Sequence, residues 1–285
     1  MTEETARAFV PGHVTGFFSV HRAASGDRAK GDILARSGSR GAGLALSEGV
    51  GVTVSPAAER SLRFHEEPVE MSAPMRVLDR LGTSARVEIE TELPLGTGFG
   101  VSGATALGTA LAANAAFDRA RTENDLVEIA HAAEVEAGTG LGDVVAQARG
   151  GVPLRIEPGG PGAGELDGIP TATRIEYVSF GSLSTAAVLE GDIVGLTEAG
   201  ERALTALCEQ PTIERLMHSS RRFARDAGLL TSQIETAIED VLAHGGEAAM
   251  AMLGETVFAL GTGLSDAGYD PAVCSIYPPG AALLD

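Results

Sequence analysis

Lysine is almost missing from this 285-residue chain: Lys30 is the only one, and the other 20 basic side chains are arginines. That scarcity excludes a Walker-type phosphate loop, which needs Gly-Lys followed by Ser or Thr. Tryptophan is absent, and aromatic residues make up only 4%. Cysteine is reduced to Cys208 and Cys274, which supply neither a disulfide framework nor a CxxC metal knuckle. Positive charge as a whole is scarce: 21 Lys+Arg face 39 Asp+Glu, a net charge of −18. No arginine run offers a patch for phosphate backbones, so the chain is expected to bind no nucleic acid. No stretch approaches the ~18 consecutive apolar residues of a membrane span, so no membrane association is expected. The segment MTEETARAFVPG lacks the basic head and apolar core of a secretory signal. A cytoplasmic enzyme is the expectation.

What is present is apolar content of 44% and 37 glycines. This is enough for one large domain or two modest ones. The acid excess carries its own meaning. Self-repulsion opposes a compact state in dilute buffer, and at about 1 M salt the screening length falls to about 3 Å. A salt-loving, halophilic source is expected.

Strands are expected over 14–20, 43–47, 50–55 and 86–92, the last alternating Val87 and Ile89 with charged neighbours. An alanine-rich helix, apolar nearly all round, should follow over 104–117. Thr122 with Asp125 three residues on marks the start of a helix over 123–137. Gly and Pro enrichment over 157–170 reads as a long loop or boundary. Beyond it, strands are expected over 174–180, 185–189 and 272–276. Helices are expected over 197–208, 212–227, 231–244 and 247–260. The order implies an α+β chain.

Between the strand at 86–92 and the next helix lies Pro94-Leu95-Gly96-Thr97-Gly98-Phe99-Gly100-Val101-Ser102-Gly103-Ala104. Glycines there allow positive φ and let backbone N–H groups approach a ligand closely. The helix start adds unpaired N–H donors and the positive end of its dipole. Such a loop binds anions without a lysine, or is simply a tight strand-to-helix turn.

The wider pattern resembles the GHMP kinases, whose second motif reads Pro-x-x-x-Gly-Leu-x-Ser-Ser-Ala. Here Phe99 follows Gly98, and Gly103 stands at the second serine. The first motif of that family is echoed by Val10-Pro11-Gly12-His13-Val14-Thr15-Gly16-Phe17-Phe18, with His13 where many members have lysine. Further segments narrow the resemblance to archaeal pantoate kinases: Gly38-Ser39-Arg40-Gly41-Ala42-Gly43, Thr139-Gly140-Leu141-Gly142-Asp143-Val144, Gly150-Gly151-Val152-Pro153-Leu154-Arg155 and Met252-Leu253-Gly254-Glu255-Thr256-Val257-Phe258.

The resemblance implies a two-lobed fold, with a ribosomal-protein-S5-domain-2-like N-terminal lobe over 1–165 and a ferredoxin-like C-terminal lobe over 166–285. It implies ATP and Mg²⁺, pantoate as the small-molecule substrate, and phosphorylation of its 4-hydroxyl on the way to coenzyme A. A homodimer is also in keeping with it. The alternatives are another small-molecule GHMP kinase (homoserine, shikimate or mevalonate kinase) or a catalytically silent binding module.

By the same resemblance Pro94, Gly96, Thr97, Gly98, Phe99, Gly100, Ser102, Gly103 and Ala104 wrap the ATP phosphates. Ser102 and Glu134 hold the metal, and Ser102, Glu134 and Asp143 form the catalytic set. Ser102 could equally cap a helix, and Asp143 could either deprotonate the attacking hydroxyl or stabilise a neighbouring positive group. Arg155 offers a planar fork suited to a carboxylate. Ser39, His131 and Thr185 are its expected companions at the substrate.

Overall fold

The computed structural model describes residues 4–24, 29–181 and 193–284. The first half is organised by one long antiparallel hairpin, β1 (Ala6–His21) with β2 (Gly38–Pro56). The expected short strands at 43–47 and 50–55 are parts of this single strand β2. Register shifts between Pro11 and Gly12 and between Thr15 and Phe17 bend the hairpin near the middle of β1, as extra residues in a ladder do. Between the two strands lies helix α1 (Lys30–Arg36).

Strand β5 (Ala85–Glu90) pairs with β2, and β3 (Ser61–Phe64) runs parallel beside it with β4 (Glu67–Pro68) at the edge. On the other side, β6 (Pro153–Glu157) pairs with the start of β2, and β7 (Glu165–Gly168) pairs with β6. The stretch 157–170, expected as one loop, therefore contains a strand. Its turn residues join a short hairpin instead of a linker.

One helix packs on a face of this sheet, and two others pack on that helix. Helix α3 (Val101–Ala116) has 13 buried residues on all its sides, as an all-apolar helix must. It packs on β1 and β2 and between α2 (Ser72–Leu81) and α4 (Glu123–Ala137). Helix α2 was not anticipated from the sequence; Pro74 sits in its first turn, where a missing N–H costs nothing. Helix α4 begins as expected. Thr122 accepts from the Asp125 backbone N–H, and the Asp125 side chain accepts from the Thr122 N–H. On its outer side Glu136 pairs with Lys30, Arg76 and Arg80, and the hydrogen bond from Lys30 leads in holding its carboxyl below the usual range.

The second half builds a four-stranded antiparallel sheet from β8 (Arg174–Gly181), β9 (Ala248–Ala251), β10 (Glu255–Leu260) and β11 (Ala272–Ser275). Its spatial order is β11-β8-β10-β9, fourth-first-third-second in chain order, which is the ferredoxin-like arrangement. Helix α5 (Asp143–Arg149) packs with α3 and β1, while α6 (Ile193–Glu209), α7 (Ile213–Asp226) and α8 (Ser232–Ala243) pack on β1, β9 and β10. A short helix α9 (Gly263–Asp266) follows β10, and β12 (Ala282–Leu284) returns to pair with β1.

The helix expected over 247–260 is replaced by the hairpin β9–β10. Ala248–Ala251 is wholly buried, so no alternation advertises a strand, and alanine and methionine favour helix in isolation. Pairing of β10 with both β8 and β9 overrides that local preference. The strand expected over 185–189 lies outside the described residues.

Candidate active site

The loop after β5 turns through three left-handed glycines: Gly96, Gly98 and Gly100, at φ 73°, 94° and 64°. Gly100 is the N-cap residue of α3, and no side chain caps that end. The first N–H groups of the helix are thus presented to the space in front of it, as in anion-binding helix starts. That space is a cavity of about 790 Å³, counting its open mouth, and Gly96, Gly98, Gly100, Ser102 and Gly103 line it.

The other loop residues hold this shape. Thr97 donates its hydroxyl to the Pro94 carbonyl at 2.9 Å, and the Thr97 carbonyl accepts from Thr256 of β10 at 2.9 Å. Phe99 buries its ring against Tyr177 of β8, centroids 4.7 Å apart. Its carbonyl accepts from the His13 N–H at 3.0 Å. Ala104 lies buried, its N–H bonded to the Gly100 carbonyl. Pro94, Thr97 and Ala104 therefore support the cavity from behind.

Ser102 is not the cap of α3. It stands in the first turn and donates its hydroxyl to Glu134 Oε1 at 2.7 Å. Thr139 donates to the same oxygen at 2.9 Å. Glu134 Oε2 is buried and has no partner among the described residues. Burial raises the Glu134 carboxyl to about 7, the two hydroxyls opposing the shift and the nearby Asp143 charge adding to it.

A second, smaller cavity adjoins the first. Arg155, on β6, is one of the largest fully buried side chains, 2% exposed, and its Nε and Nη1 find no acceptor among the described residues. Burial lowers its pKa to about 10, against the pull of Asp143, so it remains charged at neutral pH. Ser39 and Asp143 share the cavity with it. Gly142 lets these groups crowd together. A methyl group there would fall 2.4 Å from Ser39 Oγ and 2.6 Å from Arg155 Nε.

Asp143 opens helix α5, with Gly142 as the N-cap residue. Its Oδ1 lies 2.8 Å from Nδ1 of the fully buried His13. Burial pushes the Asp143 carboxyl up, but the hydrogen bond from His13, the charge of Arg155 and the Thr15 hydroxyl prevail, and its pKa is lowered. Burial likewise lowers the His13 pKa against the pull of Asp143. An ionised aspartate only accepts, so Nδ1 of a neutral His13 carries the proton.

The expected site residues divide accordingly. Ser102, Glu134 and Asp143 surround one junction, and Arg155 and Ser39 join Asp143 in the inner cavity. His131 lies apart from both: its Nε2 is bonded to the Ser37 carbonyl at 2.8 Å, and burial lowers its pKa against that bond. It fastens α4 to the chain entering β2. Thr185 lies outside the described residues. Thr15, Thr139 and Leu253 line the cavities without having been singled out from the sequence. Thr15 follows His13 by two positions in the first motif, and that spacing along one strand was the available signal.

Comparison with known proteins agrees with this geometry. The GHMP kinases N terminal domain matches residues 71–151, the span holding the glycine loop, Glu134 and Asp143. A pantoate kinase of Thermococcus kodakarensis is 38% identical over 274 residues, covering 89% of this chain and 87% of the relative. The chain belongs to the pantoate kinases of the GHMP family. Another member, from Methanocaldococcus jannaschii, is 34% identical over 281 residues, covering 94% and 99%. A solved structure described as a phosphotransferase related to the CoA biosynthesis pathway superposes with a TM-score of 0.84 at 31% identity, covering 98% of each chain. The family's two-lobed α+β fold is the one observed.

Proposed function

We propose that this chain is an ATP-dependent kinase that transfers a phosphoryl group to the 4-hydroxyl of pantoate, giving 4-phosphopantoate for coenzyme A biosynthesis. The observation that carries the reading is the buried Arg155, two of its N–H-bearing nitrogens unpartnered among the described residues, facing a cavity that meets the glycine loop at Asp143. A buried unpaired guanidinium is costly to a fold and is offset when a carboxylate completes it bidentately. Pantoate brings that carboxylate at one end and a primary hydroxyl at the other.

Phosphoryl transfer depends chiefly on positioning and charge neutralisation. The backbone N–H groups of the glycine loop and of the first turn of α3, from Gly96 to Gly103, cradle the ATP phosphates, with Ala104 supporting them from behind. Arg155 and Ser39 hold the acid, with the reacting hydroxyl turned toward Asp143. Asp143, kept ionised and oriented by His13, aligns that hydroxyl and accepts its proton at the second carboxylate oxygen. His131 supports this arrangement through Ser37, two residues before Ser39, and Thr185 completes the substrate set by resemblance.

The residues also fit a magnesium ion. Glu134 Oε2 is a buried oxygen without a partner among the described residues, and the Ser102 hydroxyl stands beside the same carboxylate. An oxygen-only set of one carboxylate and one hydroxyl suits Mg²⁺, which takes its remaining ligands from water and phosphate. No group of three or more His, Cys, Asp or Glu gathers as a protein-made metal cage among the described residues. When bound, the ion would neutralise charge on the transferring phosphates.

The protein is read as two lobes meeting at this site, 1–165 and 166–285, with β7 and β12 assigned to the first sheet. It is read as cytoplasmic, from a salt-rich habitat, and as compatible with a homodimer; among the described residues no helix is long and apolar enough to cross a membrane. The test is ADP release by purified protein in concentrated KCl, with pantoate, homoserine, shikimate and mevalonate in parallel. Turnover with pantoate alone is the expected result. Turnover with another acceptor and none with pantoate would overturn the reading.

A further inference from the structure

A carboxylate at one end and a hydroxyl at the other do not define pantoate. A straight-chain 2,4-dihydroxybutanoate offers the same carboxylate and the same two hydroxyls. What distinguishes pantoate is the quaternary carbon between them, which carries two methyl groups. Arg155, Ser39 and Asp143 cannot read that carbon, because they address only the polar ends.

Beside Thr15, Gly140 and Gly142, the rest of the inner cavity is lined by three apolar side chains, Phe18, Leu141 and Leu253. Leu253 differs from the other two in its backbone: it stands at φ 67°, in the left-handed region, at the tip of the hairpin β9–β10. Leucine is disfavoured there, and such outliers concentrate where a surrounding structure over-determines them. The surroundings do so here. Met252 N–H bonds to the Thr15 carbonyl at 2.9 Å, and the Thr256 hydroxyl to the Thr97 carbonyl at 2.9 Å. Gly254 presses so closely on the loop that a methyl group would lie 1.9 Å from the Thr97 carbonyl oxygen. The tip is thereby pinned with its leucine against both the inner cavity and the glycine-loop cavity.

We propose that Leu253 is a specificity-determining residue, the apolar wall that receives the dimethyl carbon of the acid between its carboxylate and the reacting hydroxyl. The inference rests on the reading of the chain as a pantoate kinase. It assigns the hairpin tip of the second sheet a direct part in choosing the substrate.

The experiment compares kcat/KM for pantoate and for 2,4-dihydroxybutanoate in wild type, Leu253→Gly, Leu253→Asn and Leu253→Met. Glycine and asparagine both accept positive φ, so these variants remove the wall while relaxing the backbone, and should melt no lower than wild type. A methylene in an apolar pocket is worth roughly 10- to 200-fold in discrimination. Wild type should therefore favour pantoate by at least about tenfold. The Gly and Asn variants should lose about tenfold or more of that preference, chiefly through the pantoate KM, while the Met variant keeps it. Should the variants turn over too slowly, calorimetric affinities for the two acids give the same ratio. An unchanged preference in both Gly and Asn variants, or none in wild type, overturns the proposal. The wild-type rate with pantoate is a separate readout, and its absence would instead overturn the functional reading.

Discussion

His13 Nδ1 stands 2.8 Å from Asp143 Oδ1, and the imidazole that carries it is entirely buried. Where many GHMP kinases place a lysine, this chain places a neutral donor. It fixes the direction of the carboxylate without adding positive charge, leaving Arg155 as the charged group opposite Asp143. A hydrogen bond to a charged group contributes about 1.5–3 kcal/mol. His13→Ala should therefore lower kcat by roughly 10- to 100-fold while changing the ATP KM little. Steady-state kinetics in both substrates check this; a variant with wild-type kcat would remove His13 from the mechanism.

Arg155 combines a liability with a function. Replacing it by methionine removes a buried charge that lacks acceptors, so Arg155→Met without ligand should melt no lower than wild type. The same change should raise the pantoate KM by at least about 30-fold, with a much smaller effect on the ATP KM. Equal effects on the two KM values would argue against carboxylate binding. A large fall in melting temperature would show that the arginine is structural.

Glu134 makes the metal-free protein sensitive to pH. Its carboxyl is raised by burial from its ordinary 4.5 to about 7, so between these values the folded state keeps a proton that the unfolded state has released. Its contribution to stability is full below about pH 4.5 and is lost as pH rises through about 7, amounting to at most about 3 kcal/mol. Glu134→Gln mimics the protonated form and should flatten this part of the stability profile. Urea unfolding at pH 5 and pH 8 without divalent metal is the measurement. At pH 8 the Gln variant should be the more stable protein, although it should lose most activity.

The net charge of −18 predicts a salt response in stability. At 0.1 M salt the screening length is about 10 Å and at 1 M about 3 Å, so surface carboxylates cease to repel one another as salt rises. Melting temperature should climb from 0.1 to 2 M KCl, and climb further than in sucrose of equal osmolality. A flat response would show that local pairs such as Arg7–Glu90 and Arg40–Glu201 already balance the surface.

The parts of the fold that were legible in the sequence were those written in local chemistry. Thr122 and Asp125 named the start of α4 because a capping box needs only four consecutive residues. Gly96, Gly98 and Gly100 marked the loop because positive φ is a demand on single residues. The hairpin β9–β10 was not legible. Its strands are buried on both faces, so the identities of Ala248–Ala251 carry no period, and the hairpin is decided by β10, which pairs with β9 on one side and with the distant β8 on the other. The site followed the same rule. Ser102 and Asp143 fall within motifs and Glu134 on a helix announced by its cap, whereas the part proposed for Leu253 depends on two sheets meeting, and the buried bond of His131 to Ser37 depends on α4 meeting β2. Ser102 was expected as a possible cap, but Gly100 took that place because the left-handed turn had to come first.

Lys30 has one further consequence. Its amine is 74% exposed and sits at the outer side of α4, joined to Glu136. Amine-directed reagents would find one lysine side chain on the whole molecule, on the surface and outside both cavities. With the chain's α-amine blocked, the protein could be tethered to a support or given a single fluorophore there, every copy in the same orientation. Arg76 and Arg80 would still hold Glu136 after the amine was consumed.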